Sequence, residues 1–417
     1  MTTFFSRPLI KRACLYFFLS LNLCACSDKQ NADIVDNYTE LRIDNTLVPD
    51  SLDISEMIDS VKLLKLNDGP NKPLARIDQL YAMGNYYIAV DAVITKRVNA
   101  YSTNGSYFKT LMENGPLKNN ALNLTDCYVN EKKQAIIYDF AQMKLTIFDS
   151  NLANEKSIKG EKLFHYNHIA SIPKSESFVG YASYNIDNIY FLKEKKEPSN
   201  LDILDHNLSL TKNHLMYPNK FLGATLITTS KSFFTYKDSL RFFRTYDPYI
   251  YNISKSEIQK RYKITYTKGN FPSNFLEAIV EPHLESFKSI GRNSSSLEAL
   301  YLYCNGYTCV QNWLENDNLI YLSSLSFSKK TTNTINSIII KRDSKQTILT
   351  AKTFAESKRF KLNFPEFTTY DEINNQFIAS CMGSQLKKYL HKDSPLIKPG
   401  NIIDDSFYLI EVKLNHK

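Results

Sequence analysis

Four short stretches hold residues whose types and spacing could do chemistry. Cys24-Ala25-Cys26 closes an apolar run near the N-terminus. Two thiols so placed suggest a metal, a redox pair or a covalent attachment, but no His or further Cys follows closely, as a metal site would want. His165-Tyr-Asn-His168 sets two imidazoles three residues apart. On a helix both could face one metal ion, but the flanks read as the start of a strand, where i and i+3 point to opposite faces. A surface loop is expected there instead. Arg241, Arg244, Tyr246 and Asp247 make a candidate ligand-binding loop. An Arg fork grips a carboxylate or sugar hydroxyls, and a Tyr ring stacks on a sugar. Against this stands an ordinary Asp247-Pro248 turn, with Tyr246 packed and Arg244 solvated. Finally, Cys304 and Cys309 flank Asn305-Gly306-Tyr307-Thr308. They can form a disulfide if the four residues make one loop. If Asn305-Gly306 is a two-residue turn, Cys304 opposes Tyr307 and the bridge fails on geometry.

The context of the first stretch decides its chemistry. Arg7, Lys11 and Arg12 precede a mostly apolar run from Ala13 to Leu23. That run is short for a membrane span, which needs about 20 apolar residues. A basic start and a short apolar run read as a secretory signal. Its end, Leu23-Cys24-Ala25-Cys26, resembles the bacterial lipobox. The resemblance implies a diacylglycerol thioether on Cys26, cleavage before it and acylation of the new amine. Residues 1–25 are then a signal peptide and residues 26–50 a polar tether. Each buried lipid methylene contributes about 0.8 kcal/mol, and several chains together hold a protein to a bilayer.

The formal charge of +8 is a modest excess spread along the chain. Runs such as Lys193-Glu194-Lys195-Lys196 and Lys387-Lys388 read as solvated turns, so no nucleic-acid partner is expected. There is no H-E-x-x-H, G-x-S-x-G, phosphate-loop or dinucleotide-binding glycine pattern, and nothing calls for a catalytic set, metal or cofactor. Cys127 and Cys381 read as buried thiols. Tyr184-Asn-Ile-Asp-Asn188 is a further polar stretch that could line a binding mouth.

The elements that must carry these residues are strands. Tyr (27) and Phe (25) far outnumber Gly (12) and Trp (1), an enrichment that favours β structure. Ile77–Met83, Tyr86–Asp91, Arg97–Tyr101 and Ser106–Leu111 alternate with turn residues at Gly84-Asn85 and Ser102-Thr-Asn-Gly105. Further groups begin at Leu124, His168, Ser232, Thr308 and Phe367. In the third group the strands are expected at His168, Phe178, Ile189 and Leu201. Four strands in about 40–50 residues is the period of a propeller blade. The predicted fold is all-β: a six-bladed β-propeller over residues 51–417, with four-stranded antiparallel blades and a small helical insertion between Pro272 and Leu300. Ring closure needs Asp59–Leu66 to pair with Ser406–Leu414, because closure removes the exposed sheet edges.

Particular segments look familiar. Ile58-Asp-Ser-Val-Lys-Leu-Leu-Lys-Leu66, Ala75-Arg-Ile-Asp-Gln-Leu80, Leu240–Ile253, and Tyr262–Tyr266 with Phe271-Pro272 are similar to the six-bladed β-propeller lipoproteins of Bacteroidetes. That family often carries Gly-Pro-Gly after its first blade, where this chain has Asn114-Gly115-Pro116-Leu117. The resemblance implies an exported, membrane-anchored propeller, and no particular reaction. The expected role is a non-catalytic binding or scaffold module of the cell envelope at the outer membrane. Its partners would be the membrane, through the lipid, and a glycan, peptide or envelope protein. The alternative is a propeller enzyme of lyase or lactone-hydrolase type with an axial active site. Replacing Cys26 by Ala should release the protein from the membrane fraction and remove the lipid mass. A membrane-bound Cys26→Ala protein of unchanged mass would refute the lipid attachment.

Overall fold

The computed structural model describes residues 34–415, apart from 71, 116–123, 161–164, 185–196, 227, 255–256, 290–300, 342–345 and 398. Cys26 and the expected signal, Asn185–Asn188, Pro116-Leu117 and the strand expected at Ile189 therefore lie outside the described residues. Six sheets form a ring. Blade one begins with strand Gln79–Met83, blade two with Leu124–Val129, blade three with His168–Ser171. Blades four, five and six begin with Phe233–Tyr236, Thr308–Glu315 and Phe367–Asp371. These six strands are the innermost of their sheets, and each neighbours the next around the axis, the sixth returning to the first. A seventh, three-stranded sheet of Ser51–Asp53, Thr353–Glu356 and Leu362–Phe364 lies outside the ring.

Burial explains why these sequences make these strands. Strand Ala135–Asp139, second from the axis in blade two, is buried at every position because neighbouring blades cover both its faces. The outermost strand of that blade, Glu155–Lys159, is exposed at four of its positions. Its Lys and Glu side chains blunt an edge that would otherwise invite pairing. One core cluster runs through blades one to four, and another joins blades five and six to the small sheet.

Closure occurs where expected. Ile58–Lys65 pairs antiparallel with Phe407–Leu414, setting Val61 opposite Val412 and Leu64 opposite Leu409. The seam to blade one is locked by the Tyr87 hydroxyl, which donates 2.7 Å to buried Glu411, while Lys62 lies 3.3 Å from the same carboxylate. Gly105, with φ +84°, turns at this seam, where a Cβ would lie 2.1 Å from the Lys65 carbonyl oxygen. Only glycine tolerates both that φ and that approach.

Three expectations need correction. The stretch taken as a polar tether contains strand Ile34–Ile43, which runs parallel to Ile258–Tyr266 and makes blade four five-stranded. Its polar side chains face solvent from the sheet edge, while Leu41 and Ile43 are buried. The outer strand of blade three is Leu210–Met216, whose weak alternation hides it. Cys304 and Cys309 are separate buried thiols, not a bridge. The Tyr307 amide donates 3.0 Å to the Cys304 carbonyl, so the chain turns at Asn305-Gly306 and Tyr307 takes the place opposite Cys304. The Cys304 thiol is hydrogen-bonded to Tyr246 instead.

The helical insertion is present as short turns at Leu276–Val280 and Glu281–His283 followed by helix Leu284–Ser289, with Pro282 at the break. Tyr87→Phe should lower the unfolding free energy by about 1.5–3 kcal/mol, the range for a hydrogen bond to a charged group. Urea denaturation reads this directly, and an unchanged midpoint would show that the seam does not depend on the bond.

Candidate functional site

A propeller offers its axis as the natural site, and here the axis is filled. Residues 228–232, which lead into blade four, lie across it. Gln79 Nε2 donates 2.6 Å to the Ser230 carbonyl and 2.7 Å to Asp126 Oδ1. Asp126 Oδ2 accepts from the Ile169 amide at 2.9 Å. His168 Nδ1 lies 3.2 Å from Asp126 Oδ1, and its Nε2 lies 2.9 Å from the Thr229 carbonyl oxygen. Both ring nitrogens thus lie within hydrogen-bond distance of oxygen atoms. The surface loop expected around His168 is thus corrected: His168 is buried on the innermost strand of blade three, while His165 packs on Phe140 with centroids 4.1 Å apart.

Lys231 completes the plug. Its ammonium group donates to the Leu80 carbonyl of blade one and, at 2.9 Å, to the Thr368 carbonyl of blade six. It also lies 4.0 Å from the Tyr81 ring centroid. One side chain from blade four therefore ties together the two blades that meet at the ring seam. Burial pushes its amine down to about 7, and no carboxylate is bonded to it to offset this.

Above Lys231 lies a cavity of about 330 Å³. Its walls are the C-terminal ends of the innermost strands and the turns that follow them, including Tyr128, Thr235, Tyr236, Asn312, Asn316 and Tyr370. Gln79, Asp126 and His168 do not line it. Its rim holds two ion pairs, Lys133 with Glu372 at 3.0 Å and Lys237 with Asp317 at 2.8 Å, while the lining Glu131 keeps a buried Oε2 without a hydrogen-bond partner. Among the described residues, no cluster of three or more His, Cys, Asp or Glu is placed to hold a metal ion.

The four residues of the expected ligand loop do not gather around an open space. Arg241 is buried on strand Ser239–Phe242, 2.7 Å from Glu315 Oε2. Glu315 also accepts from Lys341 at 2.6 Å, Tyr262 at 2.9 Å and Trp313 at 3.3 Å. Burial pushes the Glu315 carboxyl up, but Arg241 and Lys341 outweigh it and hold the pKa below the usual range. Arg241 and Lys341 also stack on Tyr236, at 5.0 and 4.7 Å from its centroid. Arg241 thereby stiffens one wall of the cavity without lining it. Arg244 bonds Asp247 at 2.9 Å, and Asp247 accepts from Tyr251 at 2.8 Å. Tyr246 is buried, stacked on Phe275 at 4.4 Å. Arg244, Tyr246 and Asp247 therefore belong to the packing of the opposite face.

The six-bladed ring agrees with the comparison to known families. The family model described as a 6-bladed beta-propeller matches residues 29–358. The chain belongs to this family. The family thus begins before the strand Ile34–Ile43, in keeping with that strand's place in blade four. A Bacteroides fragilis protein described as exported shares 14% identity at a TM-score of 0.63, covering 91% of this chain and 100% of its own. That likeness establishes the fold. A member of the DUF4221 family from Bacteroides vulgatus shares 8% identity at a TM-score of 0.45, covering 86% of this propeller and 98% of its own chain. A virginiamycin B lyase from Staphylococcus aureus shares 9% at 0.35, over 71% and 94%. Neither of these two bears on function. Among curated proteins nothing matches the chain.

Lys231 gives this propeller a pH signature. Its folded-state pKa lies below its unfolded value, so between about 7 and 10.5 the unfolded state holds more protons and stability rises with pH. Wild type should therefore gain stability relative to Lys231→Met as pH rises from 7 to 9, measured by denaturant unfolding at each pH. Parallel profiles would show that Lys231 titrates normally.

Proposed function

We propose that this propeller is an exported lipoprotein, anchored through Cys26 in the outer membrane, whose mouth cavity binds a glycan without catalysis. One observation carries the non-catalytic reading. The axial Asp126 and His168, with the Gln79 amide, spend their hydrogen bonds on one another and on neighbouring backbone groups, and do not line the cavity. A group that cannot touch a ligand cannot exchange protons with it. The glycan preference rests on the rim. Four of its charged groups pair with one another, and beside them stand the amides and phenols of Asn318, Asn375, Tyr236 and Tyr370. Such groups both donate and accept, as sugar hydroxyls do. The lipobox-like Leu23–Cys26 and the exported description of the Bacteroides fragilis protein support export.

A second reading, a lyase or lactone hydrolase, draws on Lys231, an amine of lowered pKa at the cavity floor. A glycan array probed with the purified protein separates the two. Binding is expected, with the ligand's mass unchanged after incubation. Thr235→Trp, which fills the cavity, should abolish binding, and Tyr370→Ala should weaken it. A ligand altered in mass by wild type but not by Lys231→Met would replace the binding reading with the enzymatic one. Binding that survives Thr235→Trp in a folded protein would move the site elsewhere.

A further inference from the structure

The direction of one edge strand says which way the cavity points. The innermost strand Phe233–Tyr236 ends at the mouth, where Lys237 lines the cavity. Three antiparallel pairings follow in blade four, so its outer strand Ile258–Tyr266 starts at the mouth face and ends at the opposite one. Strand Ile34–Ile43 runs parallel to it, with Ile34 beside Ile258. The chain from Cys26 therefore enters the fold at the mouth-side corner of blade four.

Length then restricts orientation. Ile34 follows Cys26 by eight chain steps. Fully extended they reach at most about 26–29 Å. The 9-residue strand Ile258–Tyr266 is itself about 26–30 Å deep at roughly 3.3 Å per residue. A bilayer against the opposite face would use the entire tether merely to run back along the blade. That face also carries the helical turns Leu276–Ser289 and helix Gly383–Tyr389, which add further depth. A bilayer on the mouth side needs no such stretch. Val35, 44% exposed, lies at the entry corner beside Gln259.

We infer that the mouth face is the membrane-proximal face of the anchored protein, so that the cavity takes its ligand from the membrane surface rather than from bulk solution. This rests on the lipid-anchor reading above.

Site-directed fluorescence tests it on the full, processed protein. The native thiols Cys127, Cys304, Cys309 and Cys381 are buried and burial raises their pKa values, so they resist labelling near neutral pH. Ile373→Cys, exposed on a mouth-face turn, and Leu302→Cys, exposed on the opposite face, accept a fluorophore separately. The labelled proteins are reconstituted in phosphatidylethanolamine–phosphatidylglycerol vesicles containing a head-group quencher lipid. Several-fold stronger quenching at Ile373 is expected. Inserting about 20 Gly/Ser residues after Lys29, which adds roughly 25 Å of mean reach, should shrink the contrast. Equal or reversed quenching in a vesicle-bound protein would overturn the orientation while leaving the anchor intact. A protein that does not float with vesicles and lacks lipid mass on Cys26 would instead remove the anchor, and the orientation with it.

Discussion

Closure of the ring is the constraint on which the rest of this molecule depends. Val61 lies opposite Val412, and that pairing converts a row of six sheets into a ring without free inner edges. Only in a closed ring do the six innermost strands meet around one axis. Only then can residues 228–232 bridge blades one, three, four and six. The bonds across the seam, Tyr87 to Glu411 and Lys231 to the carbonyls of Leu80 and Thr368, act on the same junction from its flank and from its centre.

The axial plug divides the polar residues into two groups with different work. Gln79, Asp126 and His168 form a closed network whose partners are all internal. Buried polar networks of this type are strongly stabilising when complete and costly when one member is lost. Tyr236 and Tyr370 stand at strand ends, and Asn318 and Asn375 on exposed turns, at the mouth. The Arg241–Glu315–Lys341 cluster lies between the groups. Its Glu315 lines the cavity, whereas Arg241 and Lys341 do not and act through the Tyr236 ring that a ligand would meet.

The blades were legible in the sequence where turns are tight and strands are covered on both faces. Gly84-Asn85 and Asn104-Gly105 mark blade one, and both closure strands show enough apolar residues to be paired in advance. The edge strands were not legible, for a physical reason. Ile34–Ile43 and Leu210–Met216 bury few side chains, so composition alone resembles a tether or a loop. The site was largely hidden. His168 sits in a polar stretch, and its burial depends on Asp126, 42 positions away, as a hydrogen-bond partner. Lys231, between two serines, carries no periodic signal at all. Arg241 was singled out for the right reason, a guanidinium that wants a carboxylate, but its partner is Glu315 within the next blade rather than a ligand.

The closure strand also sets the order of events during biogenesis. Its two halves are supplied by nearly the first and nearly the last residues of the described chain, so contacts of this separation form slowly and late. A chain still being synthesised would hold blade six to its two inner strands until Phe407–Leu414 is delivered and Ile58–Lys65 can pair with it. Chains truncated near the C-terminus would then present an open sheet edge and an unsealed axis. Proteases and chaperones would then distinguish complete from incomplete molecules by that exposed edge.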